Sequence, residues 1–541
     1  MKVIVLGGVA AGTKAAAKLM REDRENEVII LNKGENISYA GCGLPYFVGN
    51  VIPGKEQLIV NTPQKFEKLT GAKVFVRTEA TKVDREGKTV TAVNLETGEE
   101  TVYHYDKLVI ATGASPVIPP VEGSELQNVF TMRTPEDAIR IKDLAVNGGI
   151  KKAVVVGAGY IGLELAENLA AEGIRPFVVD MAPQILPGFD PEVSDYLERK
   201  IADAGIPVVT GVKVTALEGD GKVEKVVTDK RAYKADMVVF CAGIRPNTEF
   251  LEGTGIEMFK GTIITDSQGR TNDKDIYGAG DCAMVRNAIT GKPAWSPMGS
   301  TANISGRLIA QNITGEEHTY RGVLGTAVCK LPGLNAGRTG LTEAQAIEEG
   351  FDAASVITVV DDKAHYMPGA SYFIIKMIAD KKTLRLLGVQ AVGSGAVDKI
   401  VDMAVTAIMC KADLNDLADM DLAYAPPFST AIHPFVHTLN ILLNKLKGDL
   451  KSMTPAEYAK GMAEGYKLVD AGQVPSVPGA MHVELTEVDG LIEDLDKEDH
   501  ILLVCNRGKR AYLLQNRLDY YGYKHTRVLE GGITFTEVEG S

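Results

Sequence analysis

Lys152 to Ala171 reads K-A-V-V-V-G-A-G-Y-I-G-L-E-L-A-E-N-L-A-A, and the architecture follows from these twenty residues. The β-branched run Ala153 to Val156 is the composition of a strand buried on both faces, as in a parallel sheet. The Ala, Leu and Glu that follow are strong helix formers, so the segment is strand, glycine turn, helix. The glycine spacing gives the turn a purpose. Gly157 allows the tight bend, Gly159 lets a pyrophosphate approach the backbone, and Gly162 permits close packing of helix on sheet. Tyr160 and Ile161 open the helix, whose N-terminus then faces the phosphates. Eighteen residues beyond Gly162, P-F-V-V-D ends in Asp180. A carboxylate there binds a free ribose 2′-hydroxyl and repels a 2′-phosphate, and Met181 and Ala182 offer no arginine, so NAD is favoured over NADP.

About 150 residues earlier the pattern occurs once already. Val3 to Leu6 is a short apolar strand, G-G-V-A-A-G follows, and Thr13 to Arg21 is rich in Ala, Lys and Leu. This loop is degenerate. Gly7 and Gly12 are present, Val9 replaces the middle glycine, Ala10 and Ala11 lead into the helix, and Asn32, followed by Lys33, stands where an acidic ribose ligand is expected. Asn still hydrogen-bonds hydroxyls. T-N-D-K-D-I-Y-G-A-G-D, Thr271 to Asp281, brings a strand to a turn and sets Asp281 beside Gly280 to hold a ribityl chain. Asp106 to Gly113 (D-K-L-V-I-A-T-G) and Asp236 to Gly243 (D-M-V-V-F-C-A-G) each read as a strand closing one of the two sheets.

A chain of 541 residues exceeds one core, and three or four domains are expected. With 45% hydrophobic and 24% charged residues it falls in the globular range. A net charge of −13 disfavours nonspecific binding to nucleic acid or anionic membrane. No apolar run approaches the ~18 residues of a membrane span. M-K-V-I-V-L-G-G enters a strand at once, without room for a signal peptide, and the expectation is a cytoplasmic protein. The six cysteines are scattered with no C-x-x-C, so neither a disulfide framework nor a metal site is expected. Cys241, Cys282, Cys329 and Cys410 read as small core residues.

Cys42 differs. In I-S-Y-A-G-C-G-L-P-Y it sits between two glycines on a turn, open to activation by a helix terminus or a cation. Near the other end, I-L-L-V leads directly into Cys505, and C-N-R-G-K-R then forms a loop whose backbone N–H groups and three cations, Arg507, Lys509 and Arg510, suit a sulfur anion. Lys445 to Pro455 is charged and turn-prone, the composition of a linker.

G-G-V-A-A-G, A-T-G (Ala111, Thr112, Gly113), G-A-G-Y-I-G-L-E and Gly280-Asp281 together resemble the pyridine nucleotide-disulfide oxidoreductase superfamily over about the first 445 residues. The resemblance implies an α/β protein with FAD at the first site and NADH at the second. The expected domains are an FAD domain from 1–115 and 245–320, a Rossmann-like NAD domain 116–244, an α+β dimerisation domain 321–445, a linker 446–460 and a C-terminal domain 461–541. It also implies that Glu164 lies near flavin and nicotinamide, with Gly243 on the same nucleotide site.

S-Y-A-G-C-G-L-P-Y is similar to the single-cysteine branch holding coenzyme A-disulfide reductases, NADH oxidases and NADH peroxidases. Without a C-x-x-x-x-C pair, the oxidised form of Cys42 is a mixed disulfide, persulfide or sulfenic acid. The oxidases and peroxidases carry a His where this chain has Ala10, which disfavours peroxide chemistry. D-L-A-Y-A-P-P-F-S-T and H-Y-M-P-G resemble coenzyme A-disulfide reductases, which implies that Tyr424 and Tyr366 reach the partner subunit's cysteine in a homodimer and assist thiolate departure. Arg21, Ser38, Asn303 and Arg307 are candidates for holding coenzyme A. The C-terminal segment resembles an α/β rhodanese domain through C-x-x-G-x-R, V-P-G-A-M-H-V and L-E-G-G-I. It departs after L-V-D-A, where the usual Arg and acidic helix are missing. The expected function is NADH-driven, FAD-dependent reduction of coenzyme A disulfide, persulfide or polysulfide. An oxygen-reducing NADH oxidase with a Cys42 sulfenate, and a nonenzymatic sulfur carrier, stay open.

Overall fold

The computed structural model describes residues 1–538. The chain divides into two units, Met1–Leu186 with Ile201–Val323, and Pro187–Lys200 with the residues from Leu324 onward.

The first unit contains two parallel sheets built alike. In one, the spatial order is Ile276–Gly278, Lys107–Ile110, Lys2–Leu6, Glu27–Leu31, Lys73–Phe75. Val5 pairs in register with Ile30 on one side and Val109 on the other. In the second, the order is Val129–Thr131, Met237–Phe240, Lys152–Val156, Arg175–Val179, Val208–Val209. The runs V-I-V-L and A-V-V-V are buried throughout because both faces of each sheet are covered: Val3 and Val5 pack among helix residues such as Ala15 and Ile309, Ile4 and Leu6 against Val83 and Val90 of an antiparallel sheet, and Val154 and Val156 against Val214 and Val226 of another. Helix Ala11–Glu22 follows the first glycine loop and helix Tyr160–Ala171 the second. Each sheet reverses its strand order beside the strand that feeds its glycine loop, the position at which open α/β sheets leave a crevice at their carboxyl ends. The 3-residue strand Ile276–Gly278 returns to the first sheet from far along the chain, delivering Gly280 and Asp281 to the same edge as Gly7. Two three-stranded antiparallel sheets, one from Thr78–His104 and one from Val214–Lys234, complete the unit.

The second unit holds a five-stranded antiparallel sheet in the order Ala327–Leu331, Leu334–Gly340, Leu386–Gly393, Tyr372–Asp380, Ala353–Asp361. Helices Val397–Cys410 and Pro434–Lys447 pack against it. A fully parallel sheet follows, ordered Ser452–Met453, His525–Leu529, His500–Val504, Lys467–Asp470, Met481–His482, with helix Lys509–Tyr520 on it.

The stretch 446–460 is more ordered than its charge suggests. The helix continues to Lys447, Leu450 is buried, Ser452 and Met453 pair with Val528 and Leu529, and a Thr454–Glu457 capping box starts a short helix at Pro455. A two-residue edge strand has no period to read and is fixed by distant partners. Cys282 and Cys329 are buried as expected and Cys241 is half-buried, but Cys410 is exposed, closing the last turn of an amphipathic helix on its outer side.

Midway along strand Tyr372–Asp380 of the antiparallel sheet, Lys376 is 1% exposed. Its Nζ lies 2.6 Å from Glu192, 2.8 Å from Glu343 and 3.4 Å from Asp190. Gln390, its cross-strand neighbour, donates to Asp190 and accepts from the Asp190 N–H at 2.9 Å. No helix among the described residues is long and apolar enough to cross a membrane.

Candidate active site

The first glycine loop leaves its strand at Gly7, with φ +101°, where a Cβ would meet the Ala111 carbonyl oxygen at 2.2 Å. A Cβ on Gly12 would lie 1.8 Å from the Gly7 oxygen, so helix and turn close on each other only as glycines. Gly157 and Gly162 repeat both relations, against Cys241 and Gly157. Gly159 and Gly243 are different in kind, since a Cβ on either meets nothing within 4 Å and the backbone there is open to a ligand. A dinucleotide diphosphate fits the open backbone of the second cradle, and the first repeats its turn and helix approach at Gly7 and Gly12.

The ribose-binding candidates also brace the loops. Asn32 is buried. It accepts from the Gly8 N–H at 2.9 Å and spends both amide protons on the carbonyls of Gly34 and Asn36. Toward a ribose it therefore offers only the remaining lone pair of its oxygen. Asp180 makes the equivalent contact in the second half, accepting from the N–H of Ala158 at 2.6 Å and of Ala182 at 2.8 Å. Both carboxylate oxygens keep acceptor capacity for ribose hydroxyls. Lys33 is exposed and paired with Glu79 at 2.7 Å, while Ala10 and Ala11 occupy the start of the first helix. Thr112 and Gly113 are tied to Asn247, whose backbone carbonyl accepts from the Thr112 hydroxyl at 2.7 Å. Tyr160 and Ile161 lie in the first turn of the second helix.

Cys42 is exposed, on the single 3₁₀ turn Gly41–Gly43 that runs into helix Leu44–Val48. Desolvation raises its thiol pKa, and the carboxylates of Glu164 and Asp281 raise it further against the opposing charge of Arg133. Glu164 accepts from the Tyr46 hydroxyl at 2.9 Å, and Asp281 pairs with Arg133 at 2.8 Å. The cation expected beside Cys42 is thus present as Arg133, but two carboxylates outweigh it. Arg133 carried no motif, and Tyr46, although it closes I-S-Y-A-G-C-G-L-P-Y, was given no role by it. The trace of Arg133 in the sequence is T-M-R-T-P-E-D, a strand end followed by the Thr134–Asp137 capping box that fixes the turn. Glu164→Gln should lower the pH at which iodoacetamide alkylation of Cys42 reaches half its plateau rate, and Arg133→Met should raise it. Shifts in the opposite order would remove these two charges as the cause.

Ser38 adopts φ 48° and donates its N–H to the Gly8 carbonyl at 2.8 Å. Arg21 is exposed in the last turn of the first helix. Asn303 and Arg307, four residues apart, share one exposed face of helix Gly299–Ile313, and Arg307 lines a surface groove with Gln311, His318 and Tyr320. Tyr366 and Tyr424 belong to the second unit and are 65% and 51% exposed, near-neighbours in sequence of exposed His365 and Phe428.

In the second unit, Cys505 is 3% exposed and follows the fully buried strand residue Val504. Gly508, at φ +85°, turns the loop into helix Lys509–Tyr520. Arg510 closes it, donating from Nε to the Ala471 carbonyl and from Nη2 to Glu484, each at 2.7 Å. From the other side, the Ile533 N–H donates to the Cys505 carbonyl at 3.1 Å. Burial raises the Asp470 carboxyl, but the N–H groups of Ser476, Gly472 and Val477 outweigh it and leave it below the usual range. Asp470 thereby organises the L-V-D-A turn that lacks the expected arginine.

Two dinucleotide cradles, one from each half of the first unit, converge electrostatically on one cysteine: the chain belongs to the pyridine nucleotide-disulphide oxidoreductase family, which matches residues 1–301. The family's dimerisation domain matches residues 326–435 and a rhodanese-like domain matches 452–535. More particularly, the chain is similar to the CoA-dependent NAD(P)H sulfur oxidoreductase of Pyrococcus furiosus, 37% identical over 82% of this chain and 99% of the relative. The structure of a NAD-dependent persulfide reductase from A. fulgidus matches with TM-score 0.94 and 35% identity over 99% of this chain and all of that one. An NADH oxidase of Enterococcus faecalis is 32% identical over 79% of this chain and 96% of its own.

Proposed function

We propose that this protein uses NADH, through bound FAD, to reduce a persulfide or disulfide of coenzyme A at Cys42, with Cys505 handling sulfane sulfur before or after that step. The observation that carries the reading is Cys42, exposed on its turn, in the combined field of Glu164 from the second dinucleotide half and Asp281 from the first. When bound, FAD accepts hydride from NADH and passes an electron pair to sulfur. The glycine loops orient the two dinucleotides, Asp180 selects NADH, and Asp281 and Arg133 fix the edge nearest Cys42. The Cys42 thiolate attacks the terminal sulfur of a coenzyme A persulfide, forming a Cys42 persulfide as the S–S bond breaks and coenzyme A thiolate leaves. Two electrons and a proton then release sulfide and restore the thiolate. With a disulfide, the same attack releases one coenzyme A and leaves the other on Cys42.

Tyr366 and Tyr424 act from the partner subunit of a homodimer, placing phenolic donors at the departing thiolate. Arg21, Ser38, Asn303 and Arg307 hold the phosphorylated portion of coenzyme A. None of the six cysteines is paired in a disulfide, which suits the cytoplasm. The C-terminal rhodanese-like domain favours sulfur chemistry over oxygen reduction, since the A. fulgidus persulfide reductase matches across 99% of this chain, that domain included.

The test is anaerobic NADH oxidation by the purified protein with coenzyme A persulfide and with coenzyme A disulfide, sulfide being assayed. Faster turnover with persulfide and one sulfide per NADH supports the reading. Turnover with neither, and rapid NADH oxidation on admitting air, would assign the oxidase instead.

A further inference from the structure

A loop that carries three cations beside a reactive sulfur is expected to draw small dianions. In this chain two of the three are already engaged. Arg510 is paired with Glu484 at 2.7 Å and held by the Ala471 carbonyl. Arg507, two residues after Cys505, is paired with Asp361, the last residue of strand Ala353–Asp361, and its guanidinium lies 5.4 Å from the ring centre of Tyr372, the cross-strand partner of Asp361. Neither Asp361 nor Tyr372 belongs to the rhodanese-like domain; both come from the antiparallel sheet. His437, on the helix packed against that sheet, faces Lys509 and Asp361, and burial followed by the Lys509 charge keeps it below the ordinary imidazole range, hence neutral. Among the described residues no carboxylate pairs with Lys509, which is exposed. Three cations less two carboxylates leave one free charge at the loop.

We infer that Asp361 is a specificity-determining residue for Cys505: by occupying Arg507 it removes the charge that a thiosulfate dianion needs and leaves a loop matched to the monoanionic end of an organic persulfide. The transfer is the same for both donors. With a persulfide R–S–SH, the Cys505 thiolate attacks the terminal sulfur, a new S–S bond forms, the old one breaks, and R–S⁻ departs. With thiosulfate, the outer sulfur is taken and sulfite departs. No electrons are exchanged with a third reagent. What differs is the charge beside the reacting sulfur, two for thiosulfate and one or none for the persulfide. The ion pair is about two-fifths exposed at both partners, with side-chain exposures of 40% and 38%, so neutralising Asp361 releases Arg507 without burying an unpaired group. This inference rests on the proposal that Cys505 carries sulfane sulfur.

The experiment uses the full chain and compares thiosulfate with glutathione persulfide as donors, cyanide being the acceptor. Asp361→Asn should raise kcat/KM for thiosulfate roughly fivefold, the scale of one exposed charge pair, through KM and not kcat. Glutathione persulfide transfer should be unchanged, and Asp361→Glu should retain the wild-type preference. Adding Arg507→Gln to Asp361→Asn should abolish the gain, which identifies the released guanidinium as its cause. Asp361→Ser provides the same charge change should the asparagine variant fold poorly, and NADH-driven reduction of coenzyme A disulfide reports folding in each case. An equal change for both donors, or an unchanged donor ratio, overturns the assignment. Loss of all transfer in Cys505→Ser must hold throughout, and its failure would overturn the underlying reading of Cys505 instead.

Discussion

Cys42→Ser should abolish NADH-driven turnover of every sulfur substrate, by more than about a thousandfold, while Cys505→Ser leaves the reduction of small disulfides at the wild-type rate. The first expectation follows from nucleophilicity. A serine hydroxyl is not ionised near neutral pH and forms no disulfide, so removing the sulfur removes both the attack and the covalent intermediate, and losses of that size are usual when a sole nucleophile is deleted. The change is nearly isosteric on an exposed turn, so the glycine loops, Arg133 and Asp281 keep their contacts. Flavin reduction by NADH in the variant should therefore persist as a bleaching of visible absorbance with no subsequent turnover. The second expectation follows from where the chemistry lies. Cys505 sits in a separate sheet with its own loop, and a small disulfide has no sulfane sulfur to transfer. Wild-type turnover in Cys42→Ser, or loss of disulfide reduction in Cys505→Ser, would dismantle this division of labour.

The glycine motifs were legible because their geometry is imposed locally. Gly7 and Gly157 need positive φ and leave no room for a Cβ, and no other residue type satisfies both conditions. The same holds for runs such as V-I-V-L, whose burial on both faces needs no partner to be named. What escaped the sequence is what depends on distant chain. Arg133 reaches Asp281 across 148 positions and Arg507 reaches Asp361 across 146, and neither spacing has a periodic signature. The two-residue strand Ser452–Met453 exists only because Val528 and Leu529 lie beside it. Asn32 shows a subtler limit. Its position in the motif suggested a ribose ligand, but the amide also does the mechanical task of holding the Gly8 N–H, which an aspartate performs at Ala158 in the other half. An alignment of the two halves makes that shared task visible, whereas either half alone suggests only a ligand contact.

Lys376 was likewise hidden, since a single lysine in F-I-I-K-M-I-A reads as an outward-facing strand residue. Instead it is buried among Asp190, Glu192 and Glu343, and its ammonium is held charged because these carboxylates outweigh the penalty of burial. Lys376→Met should therefore cost about 3–5 kcal/mol of stability, the scale expected when one partner of a buried ion cluster is removed and the opposite charges stay behind. The pH dependence gives the sign. Burial raises Glu343, but the charge and hydrogen bond of Lys376 bring it below the usual carboxylate range, so in the wild type this group adds stability above its unfolded pKa and loses it only as pH falls through the lower folded value. Asp190 is already raised by burial despite Lys376. Without the cation, burial and mutual repulsion raise Asp190 further and lift Glu343 above its unfolded value. Folding then takes up protons, and stability increases as pH falls through the ordinary carboxylate range and the region just above it. Urea unfolding followed by circular dichroism should accordingly show the deficit of Lys376→Met relative to wild type shrinking between pH 7.5 and pH 5.5, while the depressed histidines His433 and His437 weaken both proteins alike as the pH falls. A variant whose deficit is the same at both pH values would mean that the loss comes from packing of the lysine stem rather than from stranded charge.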